Sequence, residues 1–249
     1  MEAHAAPHIS LAAEKLFEIG HFPVTNSLLL SAIALVLLIS VGLILRRSFS
    51  MVPGTFQSLV ESAIEGLLGL MDSVLGKRAL SERYLPIVAT IFLFVMTSNW
   101  LGLFPGIGPI VFRGEHETAP LFRAPSSDLN FTLALAVISV LATNVIGVAA
   151  LGFFKHGKKY FNFGNPIAFF VGILELISEF AKMVSFSFRL FGNVFAGEVL
   201  LVIIAFLVPY VVPLPFLFLE VFVGFIQAFI FAMLTLVFIA TAVTEHAEH

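Results

Sequence analysis

Ser185-Phe-Ser-Phe-Arg189-Leu-Phe-Gly-Asn193-Val-Phe-Ala-Gly-Glu198 sets a full positive charge in the middle of a long apolar run. Around it, residues 165–243 form two apolar segments whose ionisable members are Glu175, Glu179, Lys182, Arg189, Glu198 and Glu220. Arginine cannot shed its proton to escape such a setting, because its pKa stays above about 12. Holding it at mid-membrane costs from about 2.5 to more than 10 kcal/mol. A residue that expensive signals a task or a partner.

At about 100° per residue, Glu175, Ser178, Lys182, Ser185, Arg189 and Asn193 share one face of a single helix. Glu198 follows Arg189 by nine residues and so projects from nearly the opposite face. In the second segment, Glu220 and Gln227 stand seven residues apart, again on one face. Polar glue between helices is the plain alternative, but glue is usually Ser, Thr or Asn rather than a fixed charge.

The rest of the chain is built for lipid. Of its 249 residues 59% are hydrophobic and 12% charged, against about 25% charged in soluble domains. Cysteine is absent, which excludes disulfides, thiolate metal sites and Cys nucleophiles. With a net charge of −3 and no basic run beyond residues 155–159, nucleic acid is not an expected partner. No Gly-rich loop ending in Gly-Lys-Ser/Thr occurs, so the chain is not expected to make or hydrolyse ATP by itself. Neither a cofactor nor a metal is expected. His4, His8 and His21 fit no metal spacing, and the histidines of 245–249 read as a tail.

The pattern predicts an all-α integral membrane protein, one polytopic domain over 1–249. Residues 1–22 are polar, with a short helix expected over 11–19 and no signal-peptide pattern. The first span, 25–45, is uncharged and ends at Arg46 and Arg47; by the positive-inside rule that end is cytoplasmic and the N-terminus outside. Residues 53–76 are expected to form an amphipathic helix with an acidic polar face, which favours docking on a partner helix or on the chain's own spans over lying on lipid. A second span, 85–104, leads to Asn99-Trp100, where Trp100 suits the aromatic belt. Residues 105–128 read as an irregular external loop holding Arg123. The third span, 129–154, starts with Asp128 as cap and carries Thr143 and Asn144 as glue. Segments 166–208 and 216–244 are too long for upright spans, at roughly 60 and 45 Å of helix. They predict a strongly tilted hairpin turning at Pro209, Pro213 and Pro215.

Arg189-Leu-Phe-Gly-Asn193 followed by Ala196-Gly-Glu198, with Glu220 and Gln227 behind it, resembles the signature of subunit a of rotary F-type ATP synthases. The resemblance runs over nearly the whole chain in segment order. It implies a static proton-translocating subunit beside a rotor ring of small proteolipid subunits, with peripheral-stalk subunits as further partners. It implies that Arg189 faces the ring, that Asn193, Glu198, Glu220 and Gln227 line an outer half-channel, and that Glu175 serves an inner one. Lys182 and Ser185 join the inner set through the shared stripe. Family members place Glu and His in differing combinations at the positions of Glu198 and Glu220. Glu at both here argues against a histidine relay. The expected home is a bacterial inner membrane, with the C-terminus cytoplasmic. Two other classes compete. A secondary transporter would show inverted repeats, and none is found; a structural anchor leaves Arg189 unexplained. No role stands out for Glu179.

Overall fold

The structure is a computed structural model describing residues 12–20, 22–48, 54–104, 111–113, 118–152, 157, 160, 166–209 and 211–244. Helices dominate it: α1 Asn26–Ser48, α2 Thr55–Leu75, α3 Arg78–Gly102, α4 Leu129–Leu151, α5 Pro166–Leu207 and α6 Pro213–Thr244. All but α2 are long and apolar enough to cross a membrane. Large apolar side chains stay exposed along them, among them Val36 and Ile44 on α1 and Ile167 and Phe180 on α5. Surfaces of that kind are stable against lipid or another apolar partner, not against water. The final histidines, His4, His8 and His21 lie outside the described residues.

Three expectations need correction. The helix expected over 11–19 is a strand, because β1 Lys15–Ile19 pairs antiparallel with β2 Phe22–Thr25. Phe17 and Ile19 are in register with Val24 and Phe22 across this hairpin, and β-branched and aromatic residue types favour a strand over a helix there. The loop over 105–128 is not irregular throughout. Strands β3 Val111–Arg113 and β4 Thr118–Pro120 pair within it, and residues 123–128 are buried. Finally, Pro213 and Pro215 belong to the first turn of α6 instead of the turn before it. There the missing N–H has no helical acceptor to lose.

Two compact units emerge, and α1, α3, α4, α5 and α6 each contribute a part to both. The first comprises Met1–Ser40, Leu93–Thr132 and Phe188–Phe229. Here the start of α1 is tied down by side chains. Thr25 Oγ1 accepts from Leu28 N–H at 3.3 Å as its cap, and Asn26 Nδ2 donates to the Pro120 carbonyl at 3.3 Å. Ser27 Oγ donates to Asp128 Oδ2 at 2.7 Å while Asp128 Oδ1 accepts from Asn130 N–H at 3.0 Å. One carboxylate therefore caps α4, as expected, and also anchors α1.

The second unit comprises Val41–Phe92, Leu133–Ser187 and Ile230–His249. Its core joins Met71 and Leu75 of α2, Tyr84 and Val88 of α3, and Ala232, Leu236, Ile239 and Ala240 of α6. Helix α2 is half docked: Leu68, Met71 and Leu75 are buried, whereas Phe56, Leu59 and Ile64 are exposed. It ends at Gly76, whose φ of 70° suits glycine and whose N–H caps the Asp72 carbonyl at 2.9 Å. Just beyond, Arg78 reaches Glu65 at 2.6 Å, Asp72 at 2.9 Å and Glu82 at 3.3 Å. Part of the acidic face of α2 is thus already engaged inside the chain. The Ser81 hydroxyl and then the Arg78 guanidinium hold the Asp72 carboxyl below its usual range.

Candidate functional site

Sequence alone places Glu198 and Glu220 on different helices with nothing to say whether they meet. In the first unit they line one cavity of about 560 Å³, together with Asn99, Arg123 and apolar residues of α5 and α6 such as Leu201 and Leu217. Volume and lining are those of a ligand- or water-sized chamber with a few polar groups on apolar walls.

Glu220 is buried at 7% exposure, and its place depends on Gly197. A Cβ at Gly197 would overlap the Glu220 carboxyl group, both oxygens included. The glycine between Ala196 and Glu198 is therefore a packing requirement: it lets a carboxylate of α6 lie against the backbone of α5. The motif contains this glycine, but sequence reading gave it no role.

Two residues of α3 fix α6 on the other side. Asn99 Nδ2 donates to the Gly224 carbonyl at 3.0 Å, and Trp100 Nε1 donates to the Val221 carbonyl at 3.1 Å. Trp100 is 41% exposed, so it serves this anchor while still presenting an apolar face. Together they brace the turn of α6 just after Glu220.

Arg123, read from sequence as a loop charge, is a buried member of the site. Its Nε donates to Ser127 Oγ at 3.0 Å, one terminal nitrogen donates to the Ala12 carbonyl at 2.7 Å, and the other to the Ser127 carbonyl at 3.2 Å. Those bonds hold Nε 3.8 Å from Glu198 Oε2, and the guanidinium stands 6.0 Å from the Phe195 ring centre. The pair is Coulombic only, since Glu198 Oε2 accepts no hydrogen bond from the described residues. Asn99 Oδ1 is likewise buried without a donor. An unsatisfied buried acceptor costs about 1–3 kcal/mol, so both favour water or a proton donor in the cavity they line.

The other expected residues fall differently. Arg189 and Asn193 are exposed on α5, as are Gly192 and Ala196 beside them, and Gln227 is half-buried on α6. None of these lines the cavity. Between Arg189 and the buried Val194, Leu190 packs inward, so the charged side of α5 is its outward side in this unit.

In the second unit, Ser185 is exposed, Glu175 is half-buried and Lys182 is half-buried. Lys182 Nζ donates to Glu179 Oε1 at 2.7 Å and lies 4.7 Å from the Phe238 ring centre. Glu179 Oε2 also accepts from Asn144 Nδ2 at 3.3 Å, and Asn144 Oδ1 accepts from the Tyr160 hydroxyl at 2.8 Å. The residue given no role is thus the hub of a polar cluster. Thr143, by contrast, bonds its own helix at the Ser139 and Val140 carbonyls, so these bonds do not make it the interhelical glue expected from sequence.

Comparison with known proteins places the chain as a whole. Residues 28–240 match the family model described as ATP synthase A chain. The chain is similar to ATP synthase subunit a of Campylobacter fetus subsp. fetus, 37% identical over 87% of this chain and 89% of that one. It is 34% identical to ATP synthase subunit a 2 of Syntrophotalea carbinolica over 96% and 93% of the two chains. To ATP synthase subunit a of Moorella thermoacetica it is 32% identical over 93% and 97%. An apolar helical chain with this motif and a match over most of its length belongs to the ATP synthase A chain family.

Proposed function

We propose that the chain is the static proton-translocating subunit of a rotary ATP synthase membrane sector, with two offset half-channels separated by Arg189. The observation that carries this reading is the cavity in the first unit, where Glu198 and Glu220 are brought to one chamber from two helices. Glu198, Glu220, Asn193 and Gln227 form the outer half-path. Glu175, Lys182 and Ser185 belong to the inner one. As a membrane subunit it carries no catalytic site of its own and works within a complex of other ATP synthase subunits.

Arg189 supplies the coupling. A continuous wire would short-circuit the membrane, releasing about 2.3 kcal/mol per proton at 100 mV as heat. A permanent cation between two access routes repels a passing proton. It also attracts a carboxylate carried past it on a rotating ring of small proteolipids, and so favours discharge of that carboxylate. The exposed stripe supports this, because Gly192 and Ala196 beside Arg189 and Asn193 are small enough for close approach of another helix. We further propose that α1, α3 and α4 stand roughly upright, with the N-terminus outside and the C-terminus cytoplasmic. In this reading α5 and α6 lie strongly tilted around the ring, in a bacterial inner membrane. The exposed Phe56, Leu59 and Ile64 of α2 suit a peripheral-stalk subunit.

The test is potential-driven ATP synthesis per assembled complex in reconstituted vesicles. Arg189→Ala abolishes synthesis while permitting passive proton flow. Arg189→Lys fails too, because an ammonium lacks the planar fork and deprotonates when buried. If Arg189→Ala complexes synthesise ATP at near wild-type rates, the half-channel mechanism is wrong.

A further inference from the structure

Buried polar contacts in the second unit are of two kinds. One is the neutral pair Ser139 Oγ and Thr235 Oγ1 at 2.7 Å, ordinary interhelical glue. The other places an ion pair, Glu179 with Lys182, among apolar helices, with side-chain exposures of 16% and 23%. Desolvating such a pair costs several kcal/mol per ion before the attraction returns any of it. Hydroxyls would join the helices at lower cost.

Around that pair lies a cavity of about 20 Å³, lined by Asn144, Tyr160, Glu179, Lys182, Phe238 and others. A space of roughly 10–15 Å³ or more admits one water where two to four polar partners face it. The Glu179 carboxylate, the Lys182 ammonium, the Asn144 amide and the Tyr160 hydroxyl supply them. Glu175 does not line this cavity. Glu179 stands ten residues before Arg189 in α5, on the side that leads back to the basic residues 155–159.

We propose that Glu179 carries the proton on the inner side of Arg189, exchanging it with a water held between Asn144, Tyr160 and Lys182. The inference rests on the half-channel reading and names a residue for its inner half. The step is a single proton transfer. A hydronium in the cavity gives its proton to the carboxylate, leaving water and a neutral carboxyl, and the reverse step returns it. Lys182 and Asn144 remain donors throughout, holding the carboxyl in place, and no other bond changes.

The experiment uses the whole complex in vesicles, with Glu179→Gln, Glu179→Asp and the double variant Glu179→Gln/Lys182→Gln. Arg189→Ala runs beside them as a control. Glu179→Gln keeps the size of the side chain and one of its two accepted bonds, since the amide nitrogen can only donate, and it cannot carry a proton. Turnover per assembled complex falls severalfold in it, is partly rescued by Glu179→Asp, and stays low in the double variant. A purely structural ion pair gives the opposite pattern. Assembly yield falls in the single variant, recovers once both charges are gone, and turnover per complex stays normal throughout. Normal turnover per complex in Glu179→Gln overturns the proposal, as does rescue by the double variant. If Arg189→Ala also keeps its coupling, the half-channel reading itself fails; loss of coupling there confines the failure to Glu179.

Discussion

Gly197→Ala should disable proton flow without unfolding the subunit. The added Cβ overlaps the Glu220 carboxyl group, the far end of a flexible side chain that can turn aside, so the roughly 1–3 kcal/mol typical of forcing a methyl into a filled site is an upper range here. Alanine also favours a helix over glycine by about 1 kcal/mol. That gain stabilises the helix wherever the carboxyl goes, so it offsets the loss of overall stability but not the displacement. Within the folded protein the Glu220 position against α5 is depopulated by the steric cost alone. At 1.36 kcal/mol per tenfold, this is a factor of at most about 5 to 150.

The expected phenotype is near-normal assembly with potential-driven proton flux per complex reduced by up to that factor. Glu220→Asp, added to Gly197→Ala, draws the carboxyl back by one methylene and restores part of the flux. Any loss caused by helix stiffening would not respond to a change on another helix. Flux is read by a pH-sensitive dye in vesicles holding counted complexes. Wild-type flux in Gly197→Ala, or no response to the second substitution, would refute the link between this glycine and the carboxylate.

Other predictions follow from contacts of the same kind. Arg123→Gln removes three charge-assisted bonds, about 1.5–3 kcal/mol each at most. It lowers assembly yield, and because Glu198 is 39% exposed the double variant with Glu198→Gln shows only weak coupling to it. Asn99→Ala removes the bond to the Gly224 carbonyl and lowers the melting temperature of the purified complex by an amount matching about 1 kcal/mol. At the corner of α2 and α3, Asp72 has its pKa depressed in the folded state. Its contribution is therefore present above the ordinary carboxylate pKa of about 3.9 and lost as pH falls through the lower folded value. Protection factors of α2 amides, corrected for intrinsic exchange, should fall on acidification there, and Arg78→Gln should reduce that pH dependence while leaving the share due to Ser81.

Sequence reading reached what depends on residue type and period. Apolar runs located the membrane helices, and Asp128 bounded α4 because a side-chain cap is a local signal. It did not reach what depends on which helices meet. Arg123 looked like a solvated loop charge because nothing local shows that Ser127 and the Ala12 carbonyl surround it. Asn144 and Glu179 are 35 residues apart, and each alone is an unremarkable polar residue in an apolar helix. One local signal was available for the first hairpin. Phe17, Ile19, Phe22 and Val24 flank Gly20 with alternating and aromatic character, a pattern that favours a strand pair over a helix.

Gly197 shows why the motif reads as a unit. Arg189 and Asn193 share a face of α5 and are exposed, while Glu198 turns toward the cavity on another. Between them the chain needs one position without a side chain, so that α6 can bring Glu220 to the same chamber. Arg189 and Glu198 are then kept on separate faces of α5, with Glu220 brought to the cavity from α6. Were they on one face, Arg189 would pair with Glu198 in its own helix, and both would be spent as a static ion pair. Separation keeps the cation on the exposed side of α5 and Glu198 at the cavity. A swap that moves the acid, Glu198→Ala with Gly192→Glu, would place a carboxylate three residues from Arg189. Arg189 and that glutamate would then neutralise each other on the exposed stripe. Coupled synthesis should be lost in this variant even though every charge type is retained. Retained synthesis would show that the faces need not be distinct.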